Sequence, residues 1–227
     1  MYLRQALTIA AKDLRAEWRT REAVNASLAF MLAILVLFSF AFDPGNSDVN
    51  IKDVGGGLLW LAYAFAAALA LNRSFARELQ NDCLDALMAA PMPASALFFG
   101  KAMANFVLLM TMEIVSLVVF SVLYDVTILT HIWELLLVIV LGTWAMAAMG
   151  TFFSALTVNL RLRELMLPVL IYPFLVPALM AAISLTSALF NGIALGGENL
   201  VWLKGLAAFD VGFTAAVVLL VDTVLVG

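Results

Sequence analysis

Six long runs of apolar residues, each bounded by polar or charged residues, dominate the pattern of this 227-residue chain. A membrane-spanning helix needs about 20 mostly apolar residues, because the helix must cross a hydrocarbon layer about 30 Å thick. Spans are therefore predicted over residues 24–42, 54–72, 102–124, 135–159, 165–190 and 205–226. The connections are short, so we predict an all-α polytopic membrane protein with one transmembrane domain, residues 1–227.

The N-terminal segment, residues 1–22, also has helical periodicity. Its apolar positions recur every three or four residues, while basic residues occupy other faces. This pattern is typical of a helix that lies on the inner leaflet of a bilayer rather than across it. The apolar positions are Leu3, Leu7, Ala10, Leu14 and Trp18.

A second short helix is predicted at residues 82–90, between the second and third spans. An aspartate can cap its start, a second acidic residue lies in its first turn, and a proline stops it. A helix this short is unstable alone, so its apolar stripe indicates docking on another surface. The residues concerned are Asp82, Asp85 and Pro91, with Leu84, Leu87 and Met88 forming the stripe.

Composition excludes several classes of protein. Hydrophobic residues make up 65% of the chain and charged residues only 12%, which is too little charge to cover a soluble domain. The net charge of −4 argues against a nucleic-acid partner. One cysteine and one histidine exclude an intrachain disulfide and a Cys/His metal set.

Basic residues predict the orientation, because cytoplasmic loops retain them. Ten of the twelve lysines and arginines lie in the N-terminal segment and in the connections after the second and fourth predicted spans. We therefore expect both termini in the cytoplasm and residues 43–53, 125–134 and 191–204 outside. Eight charges precede the first apolar run, so we expect no cleaved signal peptide.

Few polar residues are candidates for chemistry. Glu113 lies in the middle of the third span, where a carboxylate must face protein or water, and it is either a transport group or a packing group near Thr111 or Ser116. Asp210 and Asp222 are expected near the ends of the sixth span, within reach of water. His131 is expected to be a solvated loop residue.

Charged pairs in the cytoplasmic connections are explained as positive flanks of spans, namely Arg77 with Glu78 and the turn formed by Arg161, Arg163 and Glu164. A phosphate-binding loop is excluded at Gly100-Lys101, because Ser95 stands where GxxxxGK requires glycine and Ala102 stands where it requires Ser or Thr. Any ATPase that drives this protein is therefore a separate chain. Without a catalytic constellation, an enzyme acting alone is the weakest interpretation.

Three segments resemble the CcmB family, the haem exporter permeases of cytochrome c maturation and members of the ABC-2-type transporters. They are LRQALTIAAKDLRAEWRTRE (3–22), RELQNDCLDALMAAPMPASALFFGK (77–101) and RLRELMLPVLIYPFLVPALMAA (161–182). The number and order of the spans and the total length are similar as well. The resemblance weakens after Lys204, where the chain has no polar or basic segment beyond the last span.

The resemblance implies a bacterial inner-membrane complex with a CcmA-like ATPase, which binds the ATP and magnesium. It also implies CcmC-like and CcmD-like haem-handling proteins and a CcmE-like haem chaperone. By family position the helix at 82–90 is the coupling helix that enters a cleft of the ATPase, and two clefts imply two permease copies. Haem is expected in the complex, but the resemblance assigns no cofactor to this chain.

Two other functions remain open. One is an ABC-2 permease for another amphipathic substrate, which would share every physical feature of the chain. The other is a self-contained transporter or channel that uses Glu113. A scaffold that only holds CcmC-like partners is a further possibility.

Overall fold

The computed structural model describes residues 2–42, 50–72, 92–157 and 163–225, with positions 163–164 and 222–225 described as backbone only. This part of the chain forms seven α-helices and one 3₁₀ turn at Leu129–His131. The helices are α1 (Tyr2–Thr20), α2 (Glu22–Ala41), α3 (Ile51–Leu71), α4 (Ala94–Tyr124), α5 (Ile132–Thr157), α6 (Arg163–Phe190) and α7 (Asn199–Leu225).

Six of these helices, α2 to α7, are long and apolar enough to cross a membrane, which confirms the prediction of an all-α polytopic membrane protein. The centre of the bundle consists of α3 and α5. Within their apolar windows 67% and 72% of residues are buried, against 22% for α2 and for α7. Small residues allow this close packing. For example, a Cβ on Gly142 of α5 would lie 2.1 Å from the Trp60 ring of α3.

Two helices begin more than five residues before the apolar runs predict. The third span begins at Ala94 rather than residue 102, and the sixth begins at Asn199 rather than residue 205. The distribution of basic residues predicts Lys101 in a cytoplasmic loop, whereas its side chain is completely buried within α4, beside the partly exposed Asp13 of α1. A buried lysine with an acidic partner does not end a helix.

Polar contacts bring together connections at one end of the bundle. Asn191, after α6, donates to Asp53 Oδ1 at the start of α3 (2.9 Å), and Ser187 donates to the Asp53 carbonyl (3.0 Å). The backbone N–H of Leu195 donates to Glu134 Oε2 in α5 (2.8 Å). The ends of α3, α5 and α6 that border the three predicted outer connections therefore lie together.

The N-terminal helix α1 packs along α4, and its faces differ from the single apolar stripe expected. Its buried residues are Ala6, Ile9, Ala10 and Glu17. Leu3, Leu7 and Trp18 remain exposed, at 73%, 55% and 56%. The helix thus has one face for α4 and a separate apolar face open to the surroundings, which is the arrangement that an interfacial helix requires.

Candidate functional site

The residues predicted for the ATPase-coupling segment lie outside the described residues. They are Arg77, Glu78, Asp82, Leu84, Asp85, Leu87, Met88 and Pro91. Arg161, in the predicted cytoplasmic loop between the fourth and fifth spans, also lies outside them. Arg163 and Glu164 form the first positions of α6, without a described side chain. The structure does describe the point where the predicted docking segment enters the bundle, because Met92 and Pro93 lead directly into α4.

The first turns of α4 are held against α1, in a contact that we call the α1–α4 junction and define by Asp13, Gly100 and Lys101. A Cβ on Gly100 would lie 2.7 Å from the carbonyl oxygen of Ala6 and 2.7 Å from the Cβ of Ile9, so the two helices touch at the backbone. Beside this contact, Lys101 Nζ lies 3.2 Å from Asp13 Oδ2. Gly100-Lys101 therefore has a structural role, in keeping with its exclusion as a phosphate loop.

A second polar contact joins α1 to α2. The backbone turns at Arg21, which adopts a left-handed conformation with φ of 54°. The buried carboxylate of Glu17 accepts hydrogen bonds from the backbone N–H groups of Ala23 and Val24 at 3.1 and 3.3 Å. A carboxylate at this position satisfies N–H groups in the first turn of α2 and is stabilised by the helix dipole.

The same end of the bundle is tied together by two further hydrogen bonds. Asn105 of α4 donates to Thr151 Oγ1 of α5 at 2.8 Å. Ser154 of α5 donates to the carbonyl oxygen of Leu71 at the end of α3, at 3.1 Å. Direct contacts therefore join the N-terminal half of α4 to α1 and α5, and join these two helices to α2 and α3.

Glu113 lies in a fully buried polar cluster halfway along α4. The hydroxyl of Thr143, on α5, donates to Glu113 Oε2 and also lies 2.6 Å from the carbonyl oxygen of Ile139. A hydroxyl has one hydrogen, so Thr143 serves one of these acceptors at a time. Glu113 Oε1 has no hydrogen-bond partner among the described residues.

The two partners expected near Glu113 do not bind its carboxylate. Ser116 donates to the backbone carbonyl of Glu113 at 3.0 Å, and Thr111 donates to the carbonyl of Val107. Tyr63 of α3 also donates to the Glu113 carbonyl, at 3.0 Å. The cluster therefore joins α3, α4 and α5, and its side-chain contact is made across helices rather than within α4.

Asp210 contradicts the expectation that water reaches it from the end of the last span. Because α7 begins at Asn199, Asp210 lies near the middle of the apolar stretch Asn199–Val221. The residue is 5% exposed, and neither carboxylate oxygen has a partner among the residues that the structure describes.

The side chain of Asp222 is not described. His131 lies in the 3₁₀ turn, with Nδ1 3.4 Å from Glu134 Oε1.

Comparison with known proteins assigns the chain to a family. A family model described as "CcmB protein" matches residues 4–222. The chain belongs to the CcmB family. It is 33% identical over 185 residues to "Heme exporter protein B" of Rhodobacter capsulatus, covering 82% of this chain and 84% of that protein. The protein of the same name from Paracoccus denitrificans is 31% identical over 168 residues, which are 74% of this chain and 76% of the relative.

A third relative extends further along the chain. "Heme exporter protein B" of Pseudomonas aeruginosa is 27% identical over 207 residues and covers 90% of each protein. The residues matched to CcmB include the α1–α4 junction, the Glu113 cluster and Asp210. The resemblance inferred from residues 3–22, 77–101 and 161–182 is thereby confirmed at the level of the family.

Sequence reasoning missed several residues that make these contacts, including Asp13, Glu17 and Thr143. For α1 a signal was present, because Ala6, Ala10, Asp13 and Glu17 follow a helical spacing and form a face of small and acidic residues. Such a face fits a neighbouring helix that carries a lysine. For Thr143 no comparable signal exists, since a threonine in an apolar run is ordinary in a membrane helix.

Proposed function

We propose that this CcmB-family chain is the membrane permease subunit of an ATP-driven complex that exports or hands over haem during cytochrome c maturation. The observation that carries the proposal is the family match over residues 4–222, together with relatives named "Heme exporter protein B" in several bacteria. The location that fits this function is a bacterial inner membrane, with both termini in the cytoplasm, as the distribution of basic residues predicts.

The proposed complex contains a separate CcmA-like ATPase, which binds ATP and magnesium. The chain itself has no GxxxxGK sequence. Its other partners are CcmC-like and CcmD-like membrane proteins and the CcmE-like chaperone that receives haem. Two permease copies fit an ATPase dimer with two docking clefts, and the permease acts as a non-catalytic subunit.

In this proposal, ATP-driven closure of the ATPase moves the segment 82–90, and α4 carries the motion into the membrane. The short connection supports the second step, because only three residues, Pro91 to Pro93, separate the end of that segment from the start of α4. The α1–α4 junction and the Asn105–Thr151 bond then link α4 to its neighbours. Packed helices transmit such displacements as small rigid-body shifts.

The experiment that tests the proposal is purification of the tagged permease from detergent-solubilised membranes of cells that produce the complete complex. Leu84→Asp places a charge in the predicted docking stripe and is expected to reduce recovery of the ATPase at least tenfold. Ala86→Asp adds the same charge on the opposite face of the predicted helix and is the matched control. Equal ATPase recovery with both variants contradicts docking through this stripe.

The same cells and the complex purified from them test whether motion passes from the ATPase through α4 to its neighbouring helices. Lys101→Met removes the charge pair with Asp13 while keeping an apolar side chain of similar length. We expect the ATPase to remain bound and cytochrome c assembly to fall at least fivefold. Arg15→Met, on an exposed part of α1, is the control and is expected to have no effect. Normal assembly with Lys101→Met contradicts transmission through the α1–α4 junction.

A self-contained transporter is the competing function. The observation that favours it is that Glu113 Oε1 has no hydrogen-bond partner in the part of the chain that the structure describes. A permease that is isolated without an ATPase and transports with Glu113 but not with Glu113→Gln would support this function. The other competing function is an ABC-2 permease for another amphipathic substrate. Such a permease would bind the ATPase normally, but cells without it would still assemble cytochrome c.

A further inference from the structure

A large groove lies on one side of the bundle, between α4, α5 and α7. Its volume is about 790 Å³, and its walls are almost entirely apolar, with aromatic rings from Phe106 and Trp144. On α7 the outer wall includes Val211 and Leu219, which are 72% and 80% exposed. In a membrane-spanning bundle these positions face the lipid, so the groove opens sideways into the bilayer.

The wall of the groove also contains Asp210, which is otherwise enclosed. The residue is 5% exposed, and both carboxylate oxygens lack a hydrogen-bond partner among the described residues. The nearby indole N–H of Trp144 is already used, since it donates to Thr214 Oγ1 at 3.0 Å. A buried carboxylate without donors is unfavourable, and an apolar surrounding increases the cost.

The depth of Asp210 limits where donors can come from. Eleven residues separate Asn199 from Asp210, which places the carboxylate about 16 Å from the start of α7. Lipid headgroups lie at the membrane surface, so they do not reach this depth. Donors near the middle of a bilayer come from polar side chains on membrane helices.

We propose that this groove binds a membrane-spanning helix of another protein, and that this helix carries a side chain with N–H or O–H donors near its middle, which pairs with Asp210. The shape of α7 fits such an occupant. Ala207, Val211 and Ala215 repeat at intervals of four residues along the groove, and two of the three are small. Small residues at this spacing let two helix backbones approach closely.

The length of the groove agrees with this occupant. Its wall on α7 runs from Ala207 to Leu219, which is about 18 Å of helix. The hydrogen bond to Asp210 distinguishes this partner from a lipid. A lipid acyl chain can fill the apolar groove, but it has no hydrogen-bond donor for the carboxylate. The inference goes beyond the proposed function and does not depend on the cargo.

The test is photocrosslinking within the complete complex. A photoreactive phenylalanine analogue replaces Val211 in the groove or, as the matched control, Ala216, which is exposed on another face of α7. We expect the probe at position 211, but not at 216, to join the permease to a different membrane protein. Mass spectrometry is expected to place the crosslink in an apolar span that contains a donor side chain. Asp210→Leu should lower the crosslink yield at least tenfold.

A second pair of variants keeps the test independent of the probe and of folding. Ala215→Trp fills the groove, whereas Ala216→Trp adds the same side chain outside it. We expect only Ala215→Trp to reduce recovery of the partner, with the thermal midpoint of the purified permease unchanged. Crosslinks to lipid alone, crosslinks to a second copy of this chain, or a yield that Asp210→Leu leaves unchanged would each overturn the inference.

The outcome for the ATPase separates this inference from the proposed function. Asp210→Leu and Ala215→Trp are expected to leave ATPase recovery unchanged, because the predicted docking segment lies elsewhere in the chain. Loss of the partner with the ATPase retained supports the groove as the binding surface. A groove-bound protein without any role in haem handling would still support the groove inference, because the inference specifies the partner's span and donor rather than its function.

Discussion

Glu113 and Asp210 are buried acidic residues of two different membrane-spanning helices, and their surroundings differ. Glu113 is enclosed between central helices and receives a hydrogen bond from Thr143 of α5. Asp210 lies on the peripheral helix α7 beside a groove that opens sideways, and neither of its oxygens has a partner among the described residues. In the sequence alone, both residues are simply acids within an apolar run, and this difference is not visible.

The different surroundings of Glu113 and Asp210 indicate different roles for the two carboxylates. When a neighbouring helix of the same chain supplies the donor, as for Glu113, the carboxylate serves as a link between helices. When the described helices supply no donor and a groove adjoins the carboxylate, as for Asp210, the missing donor is expected from another molecule. Comparing substitutions at the two sites therefore tests the distinction directly.

The largest effect on the isolated permease is expected for Asp210→Leu, which removes a buried carboxylate without donors. We expect the free energy of unfolding to rise by about 1–3 kcal/mol. Thermal unfolding in detergent, followed by tryptophan fluorescence, should show a midpoint at least about 2 °C higher. A lower midpoint would mean that Asp210 finds donors within its own chain, and the contrast with Glu113 would disappear.

A smaller effect of opposite sign is expected for Glu113→Leu, which removes the hydrogen bond between α4 and α5. We expect a loss of about 1 kcal/mol, as for other interhelical hydrogen bonds in membranes. Glu113→Gln retains a hydrogen-bonding side chain and should preserve both the midpoint and cytochrome c assembly. Failed assembly at normal abundance with Glu113→Gln would instead support a role for Glu113 in transport.

The smallest effect is expected for Thr143→Val, because the hydroxyl donates to only one acceptor at a time. We expect a loss of about 0.6 kcal/mol. In the Glu113→Leu background the same substitution should cost clearly less, which a double-mutant cycle measures as coupling between the two residues. Fully additive effects would show that the contact between Glu113 and Thr143 contributes nothing to stability.

Much of the fold could be predicted from the sequence because the membrane imposes a simple rule of length and polarity. The six spans follow from it, and the errors occur where contacts between helices override local polarity. Local polarity predicts that Lys101 borders a span, because a lysine usually marks the end of one. Inside the folded chain it is buried beside Asp13, and that pairing spans 88 residues of sequence.

The candidate sites were less predictable for the same reason. The prediction for Glu113 considered neighbours on its own helix, Thr111 and Ser116, whereas the donor is Thr143 on another helix. Asp210 was misplaced in depth because the start of its span was set too late in the chain. The docking stripe at 82–90 stays a prediction from periodicity and family resemblance, since it lies outside the described residues.

The α1–α4 junction also has a consequence for how the protein is made. Asp13 of α1 cannot meet Lys101 of α4 until 88 further residues have been synthesised, which takes about 4–18 s at 5–20 residues per second. During that time the exposed face of Leu3, Leu7 and Trp18 provides a surface that the membrane can hold. Helix α1 thus reaches its contacts with α4 only after α2 and α3 have been made and α4 has begun to emerge.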